Sequence, residues 1–261
     1  MIMSPVCISF SCASRKPSFK VVHLTKIKAL LFVRVISLLF LCLVVQVAAS
    51  AQPLRENACG DPLLRISGFN EADFTHACEA FSRVKNYLLD EHKLRLREPV
   101  LIIFADRATA DFGQHSYRVL GFYDRRSRQI QMTSFSSAWL HDEERLIYNI
   151  PMSKELHISL LAHELAHSIL ADNYQTNSRG FASEEYLAYS VQFATMNATL
   201  RDEILALNPM EPFATTDDIT DLYLMFNPHE FALRAYLHFA REGATRMLSQ
   251  VLSGGFVTFL P

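Results

Sequence analysis

Between Lys154 and Ala171 the chain reads Lys-Glu-Leu-His-Ile-Ser-Leu-Leu-Ala-His-Glu-Leu-Ala-His-Ser-Ile-Leu-Ala, and this segment constrains everything built around it. Ile158, Leu161, Ala162, Leu165 and Ile169 recur at helical spacing and complete one apolar stripe. Leu156, Leu160 and Leu170 make the remaining sides apolar too. A helix that is hydrophobic all round is a buried helix, so the rest of the chain must enclose it. The same helix carries His163, Glu164 and His167. Burying two imidazoles and a carboxylate is costly unless they are paired or bind a metal. Metal binding is therefore the expectation.

The enclosing elements can be read from periodicity. Asn70 can cap a helix over about 71–94, with Phe74, Ala77, Cys78, Phe81, Val84, Tyr87 and Leu88 on one face. Pro99 opens a short apolar strand, Val100 to Phe104. A hairpin follows, Val119 to Tyr123 and Gln129 to Thr133, across the polar turn Asp124-Arg125-Arg126-Ser127, which reads as a solvated tip. From Ser153 onward the pattern is helical, over roughly 154–171, 183–197, 199–207, 217–226 and 229–252. Strands first and helices later predict an α+β fold: a small mixed sheet with its hairpin packed on the buried helix, then a mostly helical C-terminal half.

One domain suffices for residues 52–261, because nothing in the pattern repeats or demands a second core. Residues 1–51 read differently. They hold Arg15, Lys16, Lys20, Lys26, Lys28 and Arg34 and no acid, then the apolar run Val35 to Val47, then Ala48-Ala49-Ser50-Ala51. Basic, apolar and small-residue regions in that order predict a secretory signal peptide. Cleavage is expected before Gln52, with Val47-Ala48-Ala49 as the competing site and an uncleaved membrane anchor as the alternative. The run is short for a bilayer span, which needs about 20 apolar residues, so the expected mature protein is exported, periplasmic or secreted, without a stable span. It would carry 19 Lys and Arg against 27 Asp and Glu. Such an acidic body does not suit phosphate-backbone binding, and no nucleic-acid role is expected. Nothing in the pattern specifies an oligomeric state.

Export also changes how cysteines read. Cys7, Cys12 and Cys42 lie in the leader, which leaves Cys59 and Cys78 as an even pair in an oxidising compartment. One disulfide joining the mature N-terminus to the first helix is expected.

His163 and His167 are four residues apart, so their side chains stack on one helix face and can both reach one zinc ion. Glu164 is turned away from that face and is placed to act as general base toward water activated at the metal. A catalytic site needs a third protein ligand. The metzincin pattern is excluded, because its later Gly and His positions are Leu170 and Asn173, and Asp172 points off the metal face. Glu184 and Glu185 are the candidates, in Ser183-Glu184-Glu185-Tyr186-Leu187-Ala188-Tyr189.

His-Glu-x-x-His followed some eighteen residues later by Glu-x-x-Ala resembles the gluzincin clan of zinc metallopeptidases, over residues 160–189. The stretch Gly121-Phe122-Tyr123-Asp124 is similar to small exported gluzincin-like bacterial proteins. The resemblance implies a zincin-like fold, Zn2+ as cofactor, a peptide or protein substrate, Glu185 as third ligand and Glu164 as catalytic base. Glu184 remains the rival ligand, or else a carboxylate of a helix N-terminus capped by Ser183. Tyr189 departs from the thermolysin-like pattern, which has an Asp there to orient a ligand histidine.

An oxyanion donor is expected among Tyr223, His229, Tyr236 and His238, whereas His76, His92, His115, His141 and His157 read as structural or exposed. Two functions follow: a peptidase whose substrate backbone pairs with the 129–133 strand as a sheet edge, or a non-catalytic exported binding module that keeps the same core. The intact Glu164 favours the first.

Overall fold

The computed structural model describes residues 54–112, 115–141, 146–176 and 180–254, within the unit from Gln52 to Pro261. The expected leader and its cleavage sites lie outside the described residues.

Alternating apolar residues build the sheet. In β2 (Leu64–Ser67), β3 (Val100–Ala105) and β7 (Gln129–Thr133), Leu64, Ile66, Val100, Ile102, Phe104, Ile130 and Met132 are buried, and their neighbours in sequence are less so. The register sets Ile66, Ile102 and Ile130 side by side, and Phe104 beside Met132. These rows join the core formed by the helices. β2, β3 and β7 are parallel to one another. β1 (Leu54–Arg55) and β6 (Gly121–Asp124) pair antiparallel at the two edges, giving the order β1-β2-β3-β7-β6. β4 (Ala108–Phe112) and β5 (His115–Val119) form a separate antiparallel pair that no alternation in the sequence announces. The 129–133 strand is interior, not the sheet edge expected for it: β3 takes one side and β6 the other.

The helices are α1 (Glu71–Val84), α2 (Phe135–His141), α3 (Lys154–Ala171), α4 (Phe181–Thr195), α5 (Ala198–Leu207), α6 (Asp221–Phe226), α7 (Pro228–Glu242) and α8 (Ala244–Leu252). The fold is α+β, with a small mixed sheet and a helical C-terminal half. No described helix is long and apolar enough to cross a membrane.

α3 is enclosed as its composition requires. It packs against α1, α4, β6 and β7, and thirteen of its residues are buried. Ser153 caps it, the hydroxyl accepting from the Leu156 amide at 3.1 Å. Asn70 caps α1 in a reciprocal box with Asp73. Asp73 is fully buried and also accepts from the Phe135 amide and the Ser134 hydroxyl, which ties α1 to the connection after β7. Cys59 and Cys78 form the expected disulfide, with Cα atoms 5.5 Å apart.

Several expected helix limits shift. The first helix loosens into a π-helical turn over Lys85–Glu91. The expected 229–252 helix is two, broken at Gly243, whose φ of +91° leaves the helical region. Ser183 does not cap α4. That helix begins two residues earlier, and its Ala182 amide donates to the Asp221 carboxylate of α6 at 2.6 Å. A carboxylate from a distant element does the work of a local cap.

Candidate metal centre

Helical spacing puts His163 and His167 one above the other on α3, and α4 crosses them so that Glu185 faces both. Glu185 Oε2 lies 3.3 Å from His163 Nε2, and Oε1 lies 3.3 Å from His167 Nε2. The two Nε2 atoms are 3.2 Å apart. Each imidazole thus faces its own oxygen of one carboxylate, and one ligand atom from each of the three residues lies within 4.8 Å of the others, close enough to reach a common ion about 2.0–2.2 Å from each. Among the described residues this trio is the group that can hold a metal ion. Its electrostatics suit a cation. Burial opposes charge on Glu185, yet the two imidazoles hold its carboxyl well below the usual range. Burial also opposes charge on His167, and Glu185 overcomes it, raising the imidazole to about 9.

Glu164 stands beside this face and is nearly inaccessible. Burial pushes its carboxyl pKa up, against the pull of the two histidines. The edge strand holds it. The Leu120 carbonyl accepts from the Thr133 amide, so in the antiparallel register Phe122 and Asp124 bond inward to β7 while Gly121 and Tyr123 present their backbone to the free edge. The Tyr123 amide donates to Glu164. Gly121 is where strand and base meet. A Cβ there would lie 2.9 Å from Glu164 Cγ, 2.9 Å from its Oε1 and 2.9 Å from Met132 Sδ, so any larger residue would force one of these side chains or the strand to shift.

Above the trio opens a cleft of about 930 Å³. Its lining includes the apolar Phe181, Leu224, Met225 and Pro228 and the charged Asp124, Arg125, Arg126 and Glu184. Arg125 is at an exposed tip, as expected, and also bonds Glu184 at 2.7 Å. Arg128 from the same turn forms a two-bond pair with Asp172 at 2.8 and 3.0 Å, anchoring the β6–β7 turn to the end of α3.

A protein-family model matches residues 64–260. The chain belongs to DUF6639, a family of unknown function. No curated protein and no solved structure matches it.

In this DUF6639 chain, Glu185 and not Glu184 meets the histidines. Both lie in the first two turns of α4, but Glu184 is turned to Arg125. The four expected oxyanion donors do not line the cleft. Tyr223 donates to Glu230 and accepts from Arg234. Tyr236 stacks on Phe193, and His238 is buried against the Tyr186 hydroxyl. The His229 ring lies 5.3 Å from that of Tyr148. His76 and His157, read as structural or exposed, are both buried and 3.0 Å apart at their Nδ1 atoms. Gly121 and Tyr123 are singled out in the sequence only by resemblance, and their contacts with Glu164 escaped sequence reading. A glycine within an otherwise regular strand was the available signal. Tyr148 escaped it too, a buried residue at φ +54° whose side chain bonds Gln192 and feels the charge of Glu185.

Proposed function

We propose that this protein is an exported zinc metallopeptidase of gluzincin type. The observation that carries the reading is the trio of His163, His167 and Glu185, with ligand atoms 3.2–3.3 Å apart at the floor of a cleft and Glu164 at their side. Two imidazoles and one carboxylate at that spacing suit zinc and leave a fourth position for water or substrate. Zinc, when bound, supplies a Lewis acid that acidifies water and polarises a carbonyl.

The chain's own residues would do the rest. Glu164, held by the Tyr123 amide, takes a proton from the attacking water and gives it to the leaving amine. Its raised affinity for that proton matches both halves of the task. Apart from the Tyr123 amide, which Glu164 takes, the outward backbone of β6 offers a peptide an antiparallel partner along the cleft, in place of the interior 129–133 strand. The Cys59–Cys78 disulfide is compatible with an oxidising, extracytoplasmic site.

The second reading is a binding module that keeps this core without turnover. Tyr189, standing where thermolysin-like enzymes have a carboxylate, is what favours it. One experiment decides between them. Purified protein is analysed for metal, then offered a mixed peptide library beside its Glu164→Gln variant. The peptidase reading requires zinc and cleavage that the variant loses. Zinc without cleavage leaves the module, and no zinc at all removes both metal readings.

A further inference from the structure

A ligand histidine ordinarily donates its second ring N–H to a carboxylate or carbonyl, which fixes the ring. His163 does not. Its Nε2 faces Glu185 and His167, and its buried Nδ1 has no hydrogen-bond partner among the described residues. Something other than a hydrogen bond must set the angle of this ring.

The Tyr189 ring lies against it. The two centroids are 4.4 Å apart with the planes at 51°. Tyr189 is one turn beyond Glu185 on α4, so one helix delivers both the facing carboxylate and the ring that packs on the histidine. Tyr189 is itself braced. Phe231 of α7 meets it edge-on at 6.2 Å, and Phe213 meets Phe231 at 5.5 Å. Phe231 and Phe213 are essentially inaccessible. The result is an aromatic column from the C-terminal core to the metal helix. A rigid column of planar rings can restrict an imidazole as a hydrogen bond does, because rotating His163 would drive it into the Tyr189 face.

We infer that Tyr189 is the positioning residue of the metal site: its braced ring, and not its hydroxyl, holds His163 in ligand geometry in place of the missing hydrogen bond. This rests on the metal-binding reading of the trio. It separates ring from hydroxyl, and it requires metal affinity to fall in variants whose metal-free form is still fully folded, where lost packing alone would show only in the thermal unfolding.

The test titrates Zn2+ into metal-free full-length protein in competition with a chromophoric chelator, with thermal unfolding of the metal-free forms measured alongside. Tyr189→Phe should hold Zn2+ within about twofold of wild type. Tyr189→Leu, apolar but without a plane, should bind roughly 10–100-fold more weakly, the usual scale for losing an orienting partner. Should the Leu variant not fold, Tyr189→Met, flexible and close in volume, takes its place with the same expectation. Equal losses in the Phe and Leu variants would assign the work to the hydroxyl and overturn the inference. No loss in either overturns it as well. A wild type that takes up no Zn2+ sinks the metal reading itself, which is a different result.

Discussion

Glu184 Oε1 lies 2.7 Å from Arg125 Nη2, an ion pair between two residues that line the cleft. That contact turns Glu184 away from the histidines and leaves the metal-facing position to its neighbour. Removing the Glu185 carboxylate by Glu185→Gln should therefore empty the site or sharply lower its affinity. His163→Ala and His167→Ala should behave alike. Glu184→Gln should leave the metal content of the purified protein unchanged. Metal analysis of the four variants decides it, and loss of metal in the Glu184 variant would reverse the assignment.

Glu164→Gln separates base from ligand. The amide keeps the shape but cannot take a proton, so metal should stay while hydrolysis falls by about 10²–10⁴-fold. Turnover on any cleaved peptide, measured at equal metal loading, checks this. A variant as fast as wild type removes the catalytic reading.

Gly121→Ala should strike the same carboxylate from the opposite side. The added methyl would sit 2.9 Å from Glu164 and from Met132, so the strand or the base must shift. Overpacking of this kind costs about 1–3 kcal/mol of stability, and misplacing a catalytic group by about 1 Å costs on the order of 10²-fold in rate. Metal content should be retained. Activity and urea unfolding of this variant, compared with wild type, show whether the contact is as tight as the geometry implies.

His157 should make the fold acid-labile. Its Nε2–H donates to the Thr133 carbonyl at 3.1 Å, so its Nδ1 must accept from His76 Nδ1–H, 3.0 Å away. A second proton on His157 would set two N–H groups against each other. Burial depresses its pKa to about 4, helped by His76 and opposed by the Thr133 bond and Asp73. Burial lowers His76 as well, with Lys154 adding to it and Asp73 and Glu155 opposing. A folded pKa below the unfolded 6.5 means stability that is present above 6.5 and lost as pH falls toward 4. The loss from His157 alone should be about 3 kcal/mol. Urea unfolding between pH 7 and 4 reads it, and His157→Gln should flatten the slope.

Cys59 and Cys78 close a loop with a sequence separation of 19. Loop-closure entropy puts the bond at about 3 kcal/mol, or roughly 6–12 °C in Tm for a domain of this size. Cys59→Ser should unfold lower by that amount in a thermal melt.

Some of this molecule was legible in the chain because the cause is local. The burial of α3 follows from apolar residues on every side of one helix, and the stacking of His163 over His167 follows from 3.6 residues per turn. The Asn70 cap, the β6–β7 hairpin and the Cys59–Cys78 pair, short in sequence separation, likewise depend on near neighbours. What the chain alone left open depends on how distant segments cross. Periodicity cannot say whether Glu184 or Glu185 meets the histidines, because the rotation of α4 is set by packing against α3 and α7 and by the Arg125 contact from the sheet. Nor can alternation tell an edge strand from an interior one: β7 reads as half-buried in either place, and only β6 beyond it decides. The clearance at Gly121 and the Tyr189 ring on His163 are of the same kind. Each is a contact between elements far apart in sequence, fixed by steric fit after the fold has closed, and no local propensity carries that information.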